Sequence, residues 1–219
     1  MIRKRIGVVI VCCMLNVSAA RAQETVCVFR SADSLAGREC EAWDDVGARL
    51  IEYEGCGSRY GNQYRFTGRQ SEHRRLLRGV VPAVEFRDSL YVSGSIFGMK
   101  TTYLYAERLG DRLLVVSSRP IQNVWEETNE VEWLGETFRV IGGMVPWIVA
   151  SFDGWYRYYF CVDLTGREIR ALNNRGQMVR LLAPYPDLVT RYRLEGGLQT
   201  SRAVAPFIDE YLRRERGRR

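Results

Sequence analysis

The residues able to do chemistry are few and far apart. One histidine, His73, lies in the run Ser71-Glu72-His73-Arg74-Arg75, and a Ser–His–Asp triad would have to use it. Charged flanks of that kind belong to a solvated helix or loop, so His73 is not read as catalytic. Arginine outnumbers lysine 30 to 2, and beyond the N-terminal segment amine chemistry would rest on Lys100 alone. Clustered histidine ligands are excluded by count. A zinc site without them needs closely spaced cysteines, whereas Cys27, Cys40, Cys56 and Cys161 are separated by 13, 16 and 105 positions. Gly142-Gly143 lacks the Lys-Ser/Thr ending of a phosphate loop. No cofactor motif is present.

Carboxylates cluster at Asp44-Asp45 and at Glu126, Glu127, Glu130 and Glu132. Two of them about 5–10 Å apart across a cleft would hydrolyse a glycoside, but neighbours on one turn do not face each other that way. Residues 122–138 therefore read as an exposed loop anchored by Trp125 and Trp133. The four cysteines read as disulfides in an oxidising compartment, with three connectivities open and free buried thiols as the alternative. Cys40–Cys56, which closes a short loop, is the expected pair.

The compartment is suggested by the N-terminus. Arg3, Lys4 and Arg5 precede an apolar run from Ile6 to Leu15, and Ala20-Arg21-Ala22 supplies small residues for cleavage. That is the order of a secretory signal peptide over residues 1–22, too short for the ~20 residues of a transmembrane helix. Val9-Ile10-Val11 before Cys12 does not suit a lipidation site. Removing this segment takes away four cations and no acid, so the formal charge falls from +6 to +2. The last eleven residues hold five arginines against three acids, a basic tail expected to be frayed, and the body is balanced. A nucleic-acid interface is not supported.

Residues 23–219 hold no linker, repeat or low-complexity block and are expected to form a single domain. Short runs rich in Val, Tyr and Phe (TVCVF, RLIEYEG, NQYRFTG, VPAVEF, SLYVSG, TTYLYAER, RLLVVSS) predict strands, and Gly110-Asp111 marks a hairpin. WYRYYFCVDLTGREIRAL predicts two more. Tyr158, Phe160, Val162 and Leu164 fall on a core face there, and Tyr159, Cys161 and Asp163 on a face only half covered. An asparagine cap at Asn173-Asn174 precedes a helix that stops at Pro184, and Asp187 opens a second. Val204, Phe207, Ile208, Tyr211 and Leu212 lie on one face of a third, expected to begin near Pro206. The fold class is α+β, a largely antiparallel sheet or open barrel with small C-terminal helices.

From Val140 to Phe152 the chain carries no charge. As a helix it would span about 20 Å, short of the ~30 Å hydrocarbon layer, and Gly142, Gly143 and Pro146 would break it. It reads as a strand, a bend and a return, with Ile148 buried and Trp147, Phe152 and Trp155 a candidate interaction patch.

Three stretches carry a resemblance: VCVFRSADSLAGR with Phe29, Ser31 and Asp33; the hairpins with Asp88, Tyr91, Tyr105 and Gly110; and YYFCVDLTGREIRALNNRGQMVRLLAPYPDL. Here the chain resembles a family of uncharacterised secreted proteins from Bacteroidetes, although Cys27 stands where that family usually has glycine. The resemblance carries no activity and no catalytic residue. Two readings follow. The first is a non-catalytic binding or interaction module of the periplasm or cell surface, with a protein or glycan partner. The alternative is a hydrolase, for example glycoside-acting, with a carboxylate-based site.

Overall fold

The computed structural model describes residues 25–44, 49–52, 64–69, 71–78, 81–97, 102–117, 130–141, 158–195 and 201–218. Cys56, Lys100, Trp125, Glu126, Glu127, Trp147, Ile148, Phe152, Trp155 and the segment 1–22 lie outside them.

Alternating β-branched and aromatic residues form strands because their bulk packs on a pleated, half-buried surface. Strand β1 is Val26–Phe29, β2 Glu41–Trp43, β3 Arg49–Glu52 and β4 Tyr64–Thr67. Next come β5 (Ala83–Phe86), β6 (Ser89–Ser93), β7 (Tyr103–Leu109) and β8 (Arg112–Ser117). Last are β9 (Glu130–Trp133), β10 (Glu136–Ile141), β11 (Tyr158–Asp163) and β12 (Glu168–Ala171). They join in the order β2-β1-β5-β6-β7-β8-β11-β12-β10-β9, a strongly curled half-barrel. Every pairing along it is antiparallel except the parallel pair β10–β12. Off this path, β3 pairs with β4, which touches β7 through Tyr64 and Tyr103.

The sequence-predicted strands form where expected. Gly110 turns β7 into β8 at φ 62°. Residues 130–138, expected in an exposed loop, belong instead to the hairpin β9–β10. Leu134 (φ 57°) and Gly135 (φ 74°) make its two-residue turn, whose twist matches the strands it joins. Three carboxylates, Glu130, Glu132 and Glu136, hide the alternation there. Val131 and Phe138 nonetheless oppose each other, and Trp133 is buried with its indole N–H 3.2 Å from the Pro82 carbonyl it donates to.

Three apolar clusters hold the sheet. The concave side packs Val92, Leu104, Val115, Phe160 and Val162, closed by helix α1 (Ala32–Gly37) through Leu35 and by a 3-10 turn (Gly94–Phe97). Ser31 caps α1: its Oγ accepts from the Ser34 amide at 3.0 Å, while the Ser31 amide donates to Ser34 Oγ. On the outer side β4 and helix α2 (Ser71–Leu77) cover Val84, Phe86 and Tyr91. Farther along, helices α3 (Arg175–Leu182), α4 (Pro186–Glu195) and α5 (Ser201–Gly217) cover Tyr159 and Cys161. The face of β11 expected to be half covered is therefore buried. Its tyrosine and cysteine looked polar, yet both supply apolar area to a helix layer. Asn174 caps α3 as expected, accepting from the amides of Gly176 and Gln177.

Helix α5 presents the expected face, with Val204, Phe207, Ile208 and Tyr211 buried. It begins at Ser201, however, which leaves Pro206 inside the helix and exposed. The first-turn rule failed because the apolar face continues upstream of the proline. Pro206 lacks the amide that would complete the ladder, so Pro206→Ala is expected to stabilise the protein by about 1–3 kcal/mol, read as a higher melting temperature. An unchanged or lower value would show that the helix starts at the proline. The basic tail is not frayed either. It continues α5 to Gly217, with Arg214 paired to Asp187 at 2.7 Å and Arg216 to Glu107 at 3.0 Å.

The bridge is Cys27–Cys40, with Cα atoms 5.3 Å apart, and this corrects the expected Cys40–Cys56 pair. Helix α1 turns back after its left-handed cap at Arg38, and β2 then pairs with β1, bringing Cys40 beside Cys27. Cys161 is a buried free thiol.

Candidate functional site

Directly opposed residues on adjacent strands share a face, so the register traces each row across the sheet. Cys27 opposes Glu85, Glu85 opposes Leu90, and Leu90 opposes Ala106. The row continues through Val115 and Phe160 to Ala171. Every member from Leu90 onward is buried in the concave core. In a second row Arg108 opposes Leu113, followed by Val162, Ile169 and Val140, again all core residues. Glu85 and Arg108 are thus the charged members of two otherwise apolar rows.

Both line one cleft of about 310 Å³, at the low end of the ~300–1,000 Å³ typical of ligand sites. Phe29, Leu90 and Ala106 line it but are almost fully buried, so its exposed lining is mainly polar; the Cys27–Cys40 bridge lines it too. Arg38 and Asp88 stand exposed at the rim. Asp88 belongs to the β5–β6 turn, where Arg87 and Asp88 both adopt positive φ, at 51° and 58°.

The charges of the cleft differ in how they are held. Arg108 donates to the Leu35 carbonyl and lies 5.9 Å from the centre of the Phe29 ring, so it ties β7 to α1. Glu107 accepts from the Tyr105 hydroxyl at 2.7 Å and from Arg216 at 3.1 Å. Burial first, then the hydrogen bond to Glu107, pushes the Tyr105 hydroxyl up to about 12, which keeps it a donor. Glu85, half-buried in the wall, has neither a hydrogen bond nor an ion pair among the described residues.

The other sequence candidates fall elsewhere. His73 sits on α2 with its ring stacked on Trp43 at 5.4 Å, a packing role. Glu130 and Glu132 are exposed on β9, away from the cleft lining. Cys27 and Cys40 line the cleft; Cys161 lies under the helices, its thiol pushed up to about 11 by burial. Among the described residues, no group of three or more His, Cys, Asp or Glu side chains is placed to hold a metal ion. Sequence reasoning missed Glu85 and Arg108, because a charge in an alternating strand reads as solvent-facing. Only the pairing partners reveal the concave side.

A family model described as a family of unknown function, DUF6563, matches residues 58–215. The chain belongs to this family. The DUF6563 match includes β4 through most of α5, and with them Glu85, Asp88 and Arg108. Helix α1 and the bridge lie upstream of it, so the cleft joins matched and unmatched parts of the chain. No curated protein and no solved structure matches the chain. Among the described residues, no helix is long and apolar enough to cross a membrane.

Elsewhere the DUF6563 fold spends its carboxylates on arginines. Glu168 sits between Arg139 and Arg170, which hold its carboxyl below the usual range, Arg139 contributing most. A carboxyl depressed on folding stabilises above its unfolded pKa, about 4.3, and that stability is lost as pH falls through the folded value. The melting temperature is therefore expected to drop below about pH 4.5. Glu168→Gln should start lower at neutral pH and drop less steeply; parallel curves would dismiss the pairing as a source of stability.

Proposed function

We propose that the protein is an exported, non-catalytic binding module of the periplasm or cell surface, one domain from Gln23 onward, and that the cleft beside Cys27–Cys40 is its binding site. The observation that carries this reading is the cleft itself, where a half-buried carboxylate without a partner among the described residues stands beside Phe29, Leu90 and Ala106. Fixed polar groups over apolar area are what a recognition site requires. Two further observations support export. The order of charges, apolar run and small residues before Gln23 is that of a signal peptide, and a disulfide persists in an oxidising compartment. The resemblance to secreted Bacteroidetes proteins points the same way.

The geometry favours binding over hydrolysis. Glu41, Glu168 and Glu210 each sit against arginine, which lowers their carboxyls, and a carboxylate held ionised is a poor general acid. The reading is tested in two steps. Protein recovered from the exported fraction should have the mass of a chain starting at Gln23 with one disulfide. A thermal-shift screen of saccharides, amino acids, amines and peptides should then give a hit that is lost in Arg38→Trp, a rim substitution whose bulk obstructs the cleft. Retention of residues 1–22, or no hit, would reject the corresponding half.

A further inference from the structure

We infer that the cleft recognises a cation, an ammonium or guanidinium group on an aliphatic stem, and that Glu85 is the residue that receives it. This rests on the binding reading above and adds the chemistry of the ligand. Both faces of β5 are covered. Ala83 packs in the concave core, and Val84 and Phe86 pack in the outer one. Position 85 faces the concave side, opposite Cys27 and Leu90, where its row elsewhere is apolar.

A carboxylate placed in such a row loses hydration and is ordinarily compensated by a charge or by hydrogen bonds. Other half-buried carboxylates of this protein, such as Glu107, Glu136 and Glu168, have arginines against them. Glu85 has none. Arg108 lines the same cleft, yet its guanidinium is directed at the Leu35 carbonyl and the Phe29 ring. The compensation is therefore left to whatever enters. Local rules are broken in this way where a site needs the group for something other than folding.

The surroundings define the rest of the ligand. Phe29, Leu90 and Ala106 supply the small apolar surface that the cleft exposes, enough for a short methylene stem, and Glu85 lines the same cleft as an acceptor with two oxygens. Asp88 at the rim adds a second carboxylate on the approach. Lysine- and arginine-like ends, with a hydrocarbon stem and a cationic head, match that arrangement.

The test is calorimetric titration of the purified protein with L-lysine, L-arginine, cadaverine and a capped lysine-containing peptide, with acetate and maltose as controls. The cationic probes should bind and the controls should not. Tighter binding by the peptide than by the free amines would identify the source as a polypeptide, and the reverse order a small amine. Glu85→Gln should weaken the best probe at least tenfold. Glu85→Leu completes the apolar row, so it should abolish binding while raising the melting temperature. Undiminished binding in Glu85→Gln, or an unfolded Glu85→Leu beside a destabilised Glu85→Gln, would overturn the inference by making the carboxylate part of the fold. Maltose binding without any cationic probe would overturn it too, yet leave the cleft a binding site. No binding by any probe would reject both.

Discussion

Ile208→Asp is expected to abolish cooperative unfolding, whereas Asp209→Ala should melt like the parent protein. The two positions are adjacent on α5 but lie on opposite sides of it: Ile208 is 2% exposed, and Asp209 faces solvent. Ile208 packs in the cluster that includes Tyr159 and Cys161 of β11 and Tyr192 of α4. A carboxylate there has no partner in reach along its own helix face, since Val204, Phe207 and Tyr211 surround the position. Burying it unpaired costs several kcal/mol, a large part of the roughly 5–15 kcal/mol that holds a typical domain together. Circular-dichroism melts decide the matter. An Ile208→Asp protein with the parent midpoint would mean that α5 does not cover the sheet, and the outer cluster would lose its lid.

This pair also shows what the sequence made legible. The face of α5 was readable because five apolar residues at helical spacing leave one solution for their burial. The strands around Gly110 were readable for the same kind of reason, since period two and a glycine turn constrain each other. What failed shares a cause as well. The register of a sheet, and which elements cover each of its faces, is settled by residues far apart in the chain. Tyr159 and Cys161 were placed on a half-covered face because nothing within ten residues announces the helices that bury them. The β9–β10 hairpin was hidden by Glu130, Glu132 and Glu136, which are tolerated on an edge strand and its neighbour where solvent reaches one side. Glu85 was invisible as a site residue on the same account. Its significance lies in Cys27 and Ala106 across the sheet, and no local window contains them.

The disulfide shows the limit most sharply and gives the last expected result. A short loop, with Cys27 and Cys161 both in expected strands, favoured Cys40–Cys56, but a bridge requires Cα atoms within about 4.4–6.8 Å, and that is decided by the path of α1 and β2. With 13 residues of separation, the Cys27–Cys40 loop should contribute about 3 kcal/mol by the chain-entropy model. Cys27→Ser with Cys40→Ser is therefore expected to lower stability by about 2–4 kcal/mol, measured as a shift in the urea midpoint at unchanged slope. The parent protein in dithiothreitol should fall to the same midpoint, which separates loss of the bridge from damage by the substitutions. Cys161 should not confuse the reading. Burial leaves it 3% exposed with its thiol pushed up to about 11, so it should resist alkylation at pH 8 until the protein unfolds. The effect should also be local, because β2 is the end of the strand path and joins the sheet only through β1. Amide exchange on reduction should rise first in Glu41–Trp43 and α1, next to the cleft, while β8 and β11 stay protected. Uniform loss of protection would mean that the bridge supports the whole sheet. A double variant as stable as the parent would instead mean that β1–β2 pairing and the α1 capping box hold this corner unaided.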